Sequence, residues 1–158
     1  MIILGIDPGT TSIGYALLRG EPQGPTLIDA GLVKIQAEES HRRLQELHTH
    51  VMDLVKKHRP EYIAIEKLFF AKNVKTALSV AEARGSLLLT TALAGLTLSE
   101  YTPLEVKKTV TGDGRADKEQ VQKMIRLSLK ETEDLIARDD VFDAIAIALT
   151  CHLKTRSI

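Results

Sequence analysis

Ile2-Ile3-Leu4-Gly5-Ile6-Asp7-Pro8-Gly9 opens the chain. Its unbroken apolar run predicts a fully buried strand over residues 2–7, stopped by a turn at Pro8-Gly9. Residues 13–19 and 26–36 read as two more strands around Gly20-Glu21-Pro22-Gln23-Gly24-Pro25, and links this short predict an antiparallel meander. A helix over about 41–58 follows, with Leu44, Leu47, Val51, Leu54 and Val55 on one stripe and Ser40 as its cap. Residues 61–66 are again strand. A helix joins it to the meander, so it should lie parallel to a central strand. A second helix, about 73–93, is apolar over much of its circumference, which predicts burial inside the domain or at a subunit interface. Residues 96–101 give the last strand, and Thr102-Pro103 opens a short helix. Asp117 and Gln120 form a capping box for a helix to about 130, and a final helix covers about 138–154. The expected fold is α/β: a mixed five-stranded sheet with helices on both faces, in a single domain over residues 1–158.

Four carboxylates interrupt or end these hydrophobic runs. Asp7 ends the first strand, Glu66 ends Tyr62-Ile63-Ala64-Ile65-Glu66, and the last helix begins Asp140-Val141-Phe142-Asp143-Ala144-Ile145. An unpaired buried charge is costly, and converging negative charges need the compensation that divalent cations supply. Asp7 and Glu66 meet at one end of the sheet if their strands are neighbours. Asp140 and Asp143 are spaced i, i+3 and share a helix face. Asp139 and Asp143, at i, i+4, would share one too, and spacing alone leaves that choice open. Each acid has a plain structural alternative: Asp139 or Asp140 as a helix cap, Asp7 as a turn anchor, Glu66 as a solvated strand end. Together they point to metal-dependent phosphoryl transfer, in which two divalent ions roughly 3.5–4 Å apart bind the attacking water and the leaving oxygen. Oxygen donors without a His or Cys cluster favour Mg²⁺, with Mn²⁺ as a substitute, over Zn²⁺. No HExxH, paired CxxC, GxSxG or Walker A pattern is present.

Lys plus Arg and Asp plus Glu number 21 each, so a nucleic-acid surface must come from local segregation of charge. Phe69 and Phe70 lie within Lys67-Leu68-Phe69-Phe70-Ala71-Lys72-Asn73-Val74-Lys75, and aromatics among lysines suit stacking on unpaired bases. Filling the core under a loop is the plain alternative for either ring. Lys107, Lys108, Arg115 and Lys118 form a second basic set, for which a solvated helix face is the ordinary explanation. Cys151 stands alone and Met1-Ile2-Ile3-Leu4-Gly5 carries no signal pattern, so a cytoplasmic home is expected.

With these residues in hand, the chain resembles the RuvC family of Holliday-junction resolvases. The matching stretches are Ile3 to Thr10, Ile65 to Asn73, Ala83-Arg84-Gly85, Val106 to Gly112, Lys118 to Gln122 and Asp140 to Ala148, in the family's order. The resemblance implies an RNase H-like fold, a homodimer, and Mg²⁺-dependent endonuclease action on four-way DNA junctions; attack by a water activated between two ions would leave 5′-phosphate and 3′-hydroxyl ends. It further implies Asp7, Glu66, Asp140 and Asp143 as catalytic acids and metal ligands, so favouring Asp140 over Asp139. By the same resemblance Phe69 enters the junction's crossover, Lys107 and Lys118 contact phosphate, and a branch-migration helicase is a partner. The dimer contact is expected around Arg84-Gly85 and Leu88 of the second helix. Three rival readings stand beside this one. The first is an RNase H-like nuclease that trims structured RNA. The second is an actin-like or sugar-kinase-type ATP-binding domain, suggested by Gly5 to Gly14. The third is a non-catalytic junction-binding module.

Overall fold

The computed structural model describes residues 1–9, 12–67 and 74–156. Strands β1 (Ile2–Asp7), β2 (Ser12–Glu21) and β3 (Gly24–Lys34) lead into helix α1 (Ser40–His58). Then come β4 (Tyr62–Glu66), α2 (Val74–Leu93), β5 (Thr97–Tyr101), α3 (Pro103–Thr111), α4 (Lys118–Ser128), a short 3₁₀ turn (Lys130–Thr132) and α5 (Asp139–Thr155). The sheet order is β3-β2-β1-β4-β5, which puts the opening strand at its centre. The meander β1-β2-β3 is antiparallel, while β4 runs parallel to β1 and β5 parallel to β4. This is the expected mixed, RNase H-like sheet.

Side chains alternate across a strand, so each strand feeds two layers. Leu4, Ile6, Ile13, Leu17, Ile63 and Ile65 pack on one face against Leu47 and Val51 of α1 and Ala83 and Leu87 of α2. Ile3, Ala16, Leu18 and Ala64 face the other way, onto α3, α4 and α5. Helix α5 is buried over most of its surface, from Val141 to His152, which accounts for its nearly unbroken apolar sequence. Each fully buried isoleucine there, such as Ile145, stabilises the fold by about 1.5–3 kcal/mol.

Glycines let α5 lie close on the sheet. A Cβ at Gly5 would strike the Ala144 carbonyl and Ala148, and one at Gly14 would collide with the Asp140 carbonyl. The His152 ring packs against Gly20 in the same way, at the far end of the helix.

The expected Asp117/Gln120 capping box of α4 forms, and α3 carries one as well between Thr102 and Glu105. The Thr102 hydroxyl accepts from the Glu105 N–H at 3.2 Å, and the Asp117 carboxylate accepts from the Gln120 N–H at 2.8 Å. The expected Ser40 cap does not form. Glu39 takes the N-cap position without a side-chain capping bond, and the Ser40 hydroxyl donates to Glu82 across to α2 at 3.0 Å. Neither Asp139 nor Asp140 caps α5, since Arg138 holds that position and both acids fall in the first turn. Among the described residues no helix is long and apolar enough to cross a membrane.

Candidate nuclease site

Parity places the first two acids. Ile6 stands opposite Ile65 in the parallel pairing of β1 and β4, and each strand ends one residue later, at Asp7 and Glu66. Asp7 shares the parity of Ile3 and Gly5, and Glu66 that of Ala64, so both carboxylates belong to the face covered by α5. The first turn of α5 reaches this same edge. Asp7 pairs with Gly14 in the sheet, and Gly14 lies directly beneath the Asp140 backbone. The Ser12 hydroxyl donates to Asp140 Oδ2 at 3.1 Å and ties that side chain to the start of β2.

The charges feel one another strongly. Burial, then the fields of Asp143, Glu66 and Asp140, push Asp7 from its ordinary 3.8 to about 7, with Lys118 opposing. Burial and then Asp143 push Glu66 up to about 6, with Lys107 opposing. Asp143 is raised as well, by burial first and by Asp139 and Asp140, against Lys118 and Lys107. All four sequence-selected acids therefore lie within one electrostatic neighbourhood, as do Lys107 of α3 and Lys118 of α4. Such mutual repulsion is the environment that a hard divalent cation relieves, and carboxylates are its preferred donors. Among the described residues no three His, Cys, Asp or Glu side chains already close on a common point to hold a metal ion.

Asp139 has a different set of partners. Its carboxylate accepts from Lys118 Nζ at 3.3 Å and from Gln122 Nε2 at 3.2 Å, so it faces α4. The hydrogen bond and Asp139's charge, together with Asp143, hold the Lys118 pKa above the ordinary lysine range. Lys108 and Arg115 are exposed. Phe69, Phe70 and Lys72 lie outside the described residues. Reasoning from sequence missed Ser12, Gln122 and Gly14. The signal for Gly14 was a glycine inside a strand, which marks a close backbone approach. A separate cavity of about 140 Å³ lies between α1 and α2, lined by Ile13, Ile35, Leu44, Leu47 and Ala83 with Glu38 and Glu82 among its polar groups. None of the four acids lines it.

The family model of the crossover junction endodeoxyribonuclease RuvC matches residues 3–152. A relative so named in Halothermothrix orenii is 45% identical over 153 residues, covering 96% of this chain and 92% of its own. The Thermus thermophilus RuvC structure aligns with a TM-score of 0.88 at 32% identity, over 99% of this chain and 96% of that one. T. thermophilus RuvC in complex with a Holliday junction substrate aligns at 0.85 and 30% identity, with the same coverage.

Proposed function

The chain belongs to the RuvC family of crossover junction endodeoxyribonucleases, and we propose that it resolves four-way (Holliday) DNA junctions by paired, symmetric phosphodiester hydrolysis. The observation that carries this reading is the shared electrostatic neighbourhood of Asp7, Glu66 and Asp143 with Asp140, built where β1, β4 and α5 end or begin together. The similarity of the fold to a relative solved with junction DNA supports the substrate.

Asp7, Glu66, Asp140 and Asp143 are the residues that would hold Mg²⁺, two ions per subunit with Mn²⁺ as substitute. When bound, such ions supply an activated water and charge neutralisation at the scissile phosphate. The chain's own residues do the rest. Ser12 orients the Asp140 carboxylate. Lys107 and Lys118 offset the acids' field and suit contact with phosphate. Phe69 is assigned to the crossover by family resemblance alone. A cytoplasmic location and a branch-migration helicase partner belong to the same proposal.

Symmetric cuts in a two-fold junction call for two matched active sites, which a C₂ dimer supplies. The outer face of α2 supports that assembly. Leu78, Leu89 and Leu93 are 69%, 60% and 69% exposed, and Gly85 shares their stripe with open space above it. Leu88, expected at this contact from sequence, is partly buried against the α1/α2 core, so the more exposed Leu89 is the better probe. Leu89→Glu is expected to shift the protein from dimer to monomer in sedimentation at micromolar concentration. A dimer as tight as wild type would place the contact elsewhere.

The direct test of the activity compares four-way junctions, linear duplex and structured RNA as substrates. Paired nicks in the junction, with ligatable 5′-phosphate ends, are expected in Mg²⁺ and not in EDTA. Preferred cleavage of RNA would favour the RNA-processing reading, and 3′-phosphate ends or full activity in EDTA would reject the mechanism.

A further inference from the structure

Lys118, Gln122 and Arg126 sit at i, i+4 and i+8 on α4 and share one helix face. All three donate to the first turn of α5 or to the segment that leads into it. Lys118 and Gln122 hold the Asp139 carboxylate. Arg126 reaches further back: one guanidinium nitrogen donates to the carbonyls of Thr132 at 2.5 Å and Glu133 at 2.8 Å, the other to the Leu135 carbonyl at 3.0 Å. Its guanidinium also lies over the Phe142 ring, 4.9 Å from the centroid.

Residues 133–138 belong to neither helix nor strand. The Glu133 and Leu135 carbonyls there, and the Thr132 carbonyl just before them, accept from one planar, permanently charged fork that reaches all three at once. Phe142, buried against that fork, falls between Asp140 and Asp143 in sequence on the first turns of α5, on a different face of the helix from Asp140. The body of α5 is fixed by its buried isoleucines and by the Gly5 contact, and its first turn rests on Gly14. The turn's other side is held by α4.

We propose that Arg126 is a positioning residue for the nuclease site: its fork fixes the 132–135 backbone and the Phe142 ring, and so sets where α5 presents Asp140 and Asp143. This rests on the reading of those two acids as metal ligands. Arg126 is assigned no contact of its own with metal or substrate; it acts through α5. Lysine keeps the charge at this position but cannot span three carbonyls with a rigid fork, so Arg126→Lys isolates the geometry from the charge.

The experiment measures Mn²⁺ affinity by electron paramagnetic resonance without DNA, junction kcat and KM, and the melting temperature. Arg126→Lys is expected to weaken Mn²⁺ binding by roughly tenfold, as loss of a group supporting the ligands does. Its kcat should fall by about tenfold or more while KM stays within about twofold, because misplacement hurts chemistry more than binding. Phe142→Leu, which keeps the carbonyl bonds, is expected to weaken Mn²⁺ by a smaller factor. Leu47→Ala, in the core on the opposite face of the sheet, should lower the melting temperature and leave Mn²⁺ affinity unchanged. Wild-type Mn²⁺ affinity in Arg126→Lys would overturn the proposal. If that variant does not fold, wild-type affinity in Phe142→Leu would do so, as would an equal weakening in Leu47→Ala. Mn²⁺ binding that survives unchanged in Asp7→Asn would instead overturn the assignment of the acids, a result distinguishable from the first.

Discussion

Junction DNA mixed with the Asp7→Asn protein and Mg²⁺ is expected to be bound and left uncut, with cleavage down by at least about a thousandfold. Asparagine keeps the shape of the side chain and removes the charge that a cation requires. Among the described carboxylates Asp7 feels the site most fully, since Asp143, Glu66 and Asp140 all act on it and only Lys118 relieves it. Binding should survive, because the affinity of DNA-binding proteins comes chiefly from cationic contacts to phosphate, and no lysine is altered. The same substitution carries a second, opposite expectation. In EDTA the wild-type fold bears the full repulsion of the cluster, so Asp7→Asn should melt at a higher temperature than wild type. Active sites are often kept at such a cost to stability. Gel assays of cleavage, fluorescence anisotropy of binding and calorimetry in EDTA give three independent readings. Retained cleavage would remove Asp7 from the catalytic set. A lower melting temperature would show that the cluster's charges are not in conflict.

Most of the sheet was legible in the sequence because its strands obey simple rules. An apolar run ending in Asp7 has to be central, and short links have to be hairpins. The meeting of Asp7 and Glu66 on one face followed only once the β1–β4 register was known, because slipping it by one residue would send one of them to the α1/α2 side. The choice between Asp139 and Asp140 was beyond helical spacing, since both share a face with Asp143. What separates the two is their partners on other elements: Ser12 of β2 for Asp140, Lys118 and Gln122 of α4 for Asp139. Ser40 failed as a cap for a similar reason, since a tertiary bond to Glu82 outcompeted the local one. Leu88 and Leu89 are both leucines on an apolar helix. Only the packing of α2 on α1 and the sheet decides which of them is left outside.

Mg²⁺ is expected to raise the melting temperature strongly at about pH 8 and hardly at all near pH 5. The unfolded chain releases the Asp7 proton near 3.8, while the folded chain holds it until about 7. A carboxyl with a raised folded pKa contributes stability that is fully present below its unfolded value and lost as pH rises through its folded value. For Asp7 that loss amounts to roughly 4 kcal/mol across the interval. Glu66 adds a loss of the same sign between 4.5 and about 6. Metal-free protein should therefore weaken as pH rises from about 5 to 8, and a divalent cation should reverse this once the acids have ionised. At one hundred times its dissociation constant the cation contributes about 2.7 kcal/mol. That corresponds to a melting shift of roughly 5–10 °C for a chain of this size. His152 works in the opposite direction. Its ring is buried with no partner for either nitrogen among the described residues, and burial, Arg156 and the N-terminus hold its pKa below 6.5. Its contribution is complete above 6.5 and lost as pH falls. It lies at the far end of α5 from the acids, so it affects the Mg²⁺ and EDTA samples equally and cancels in their difference. That difference is the quantity to plot against pH, by calorimetry or scanning fluorimetry. A shift of equal size at both ends of the range, or one that persists undiminished in Asp7→Asn, would mean that the cation binds away from the end of β1.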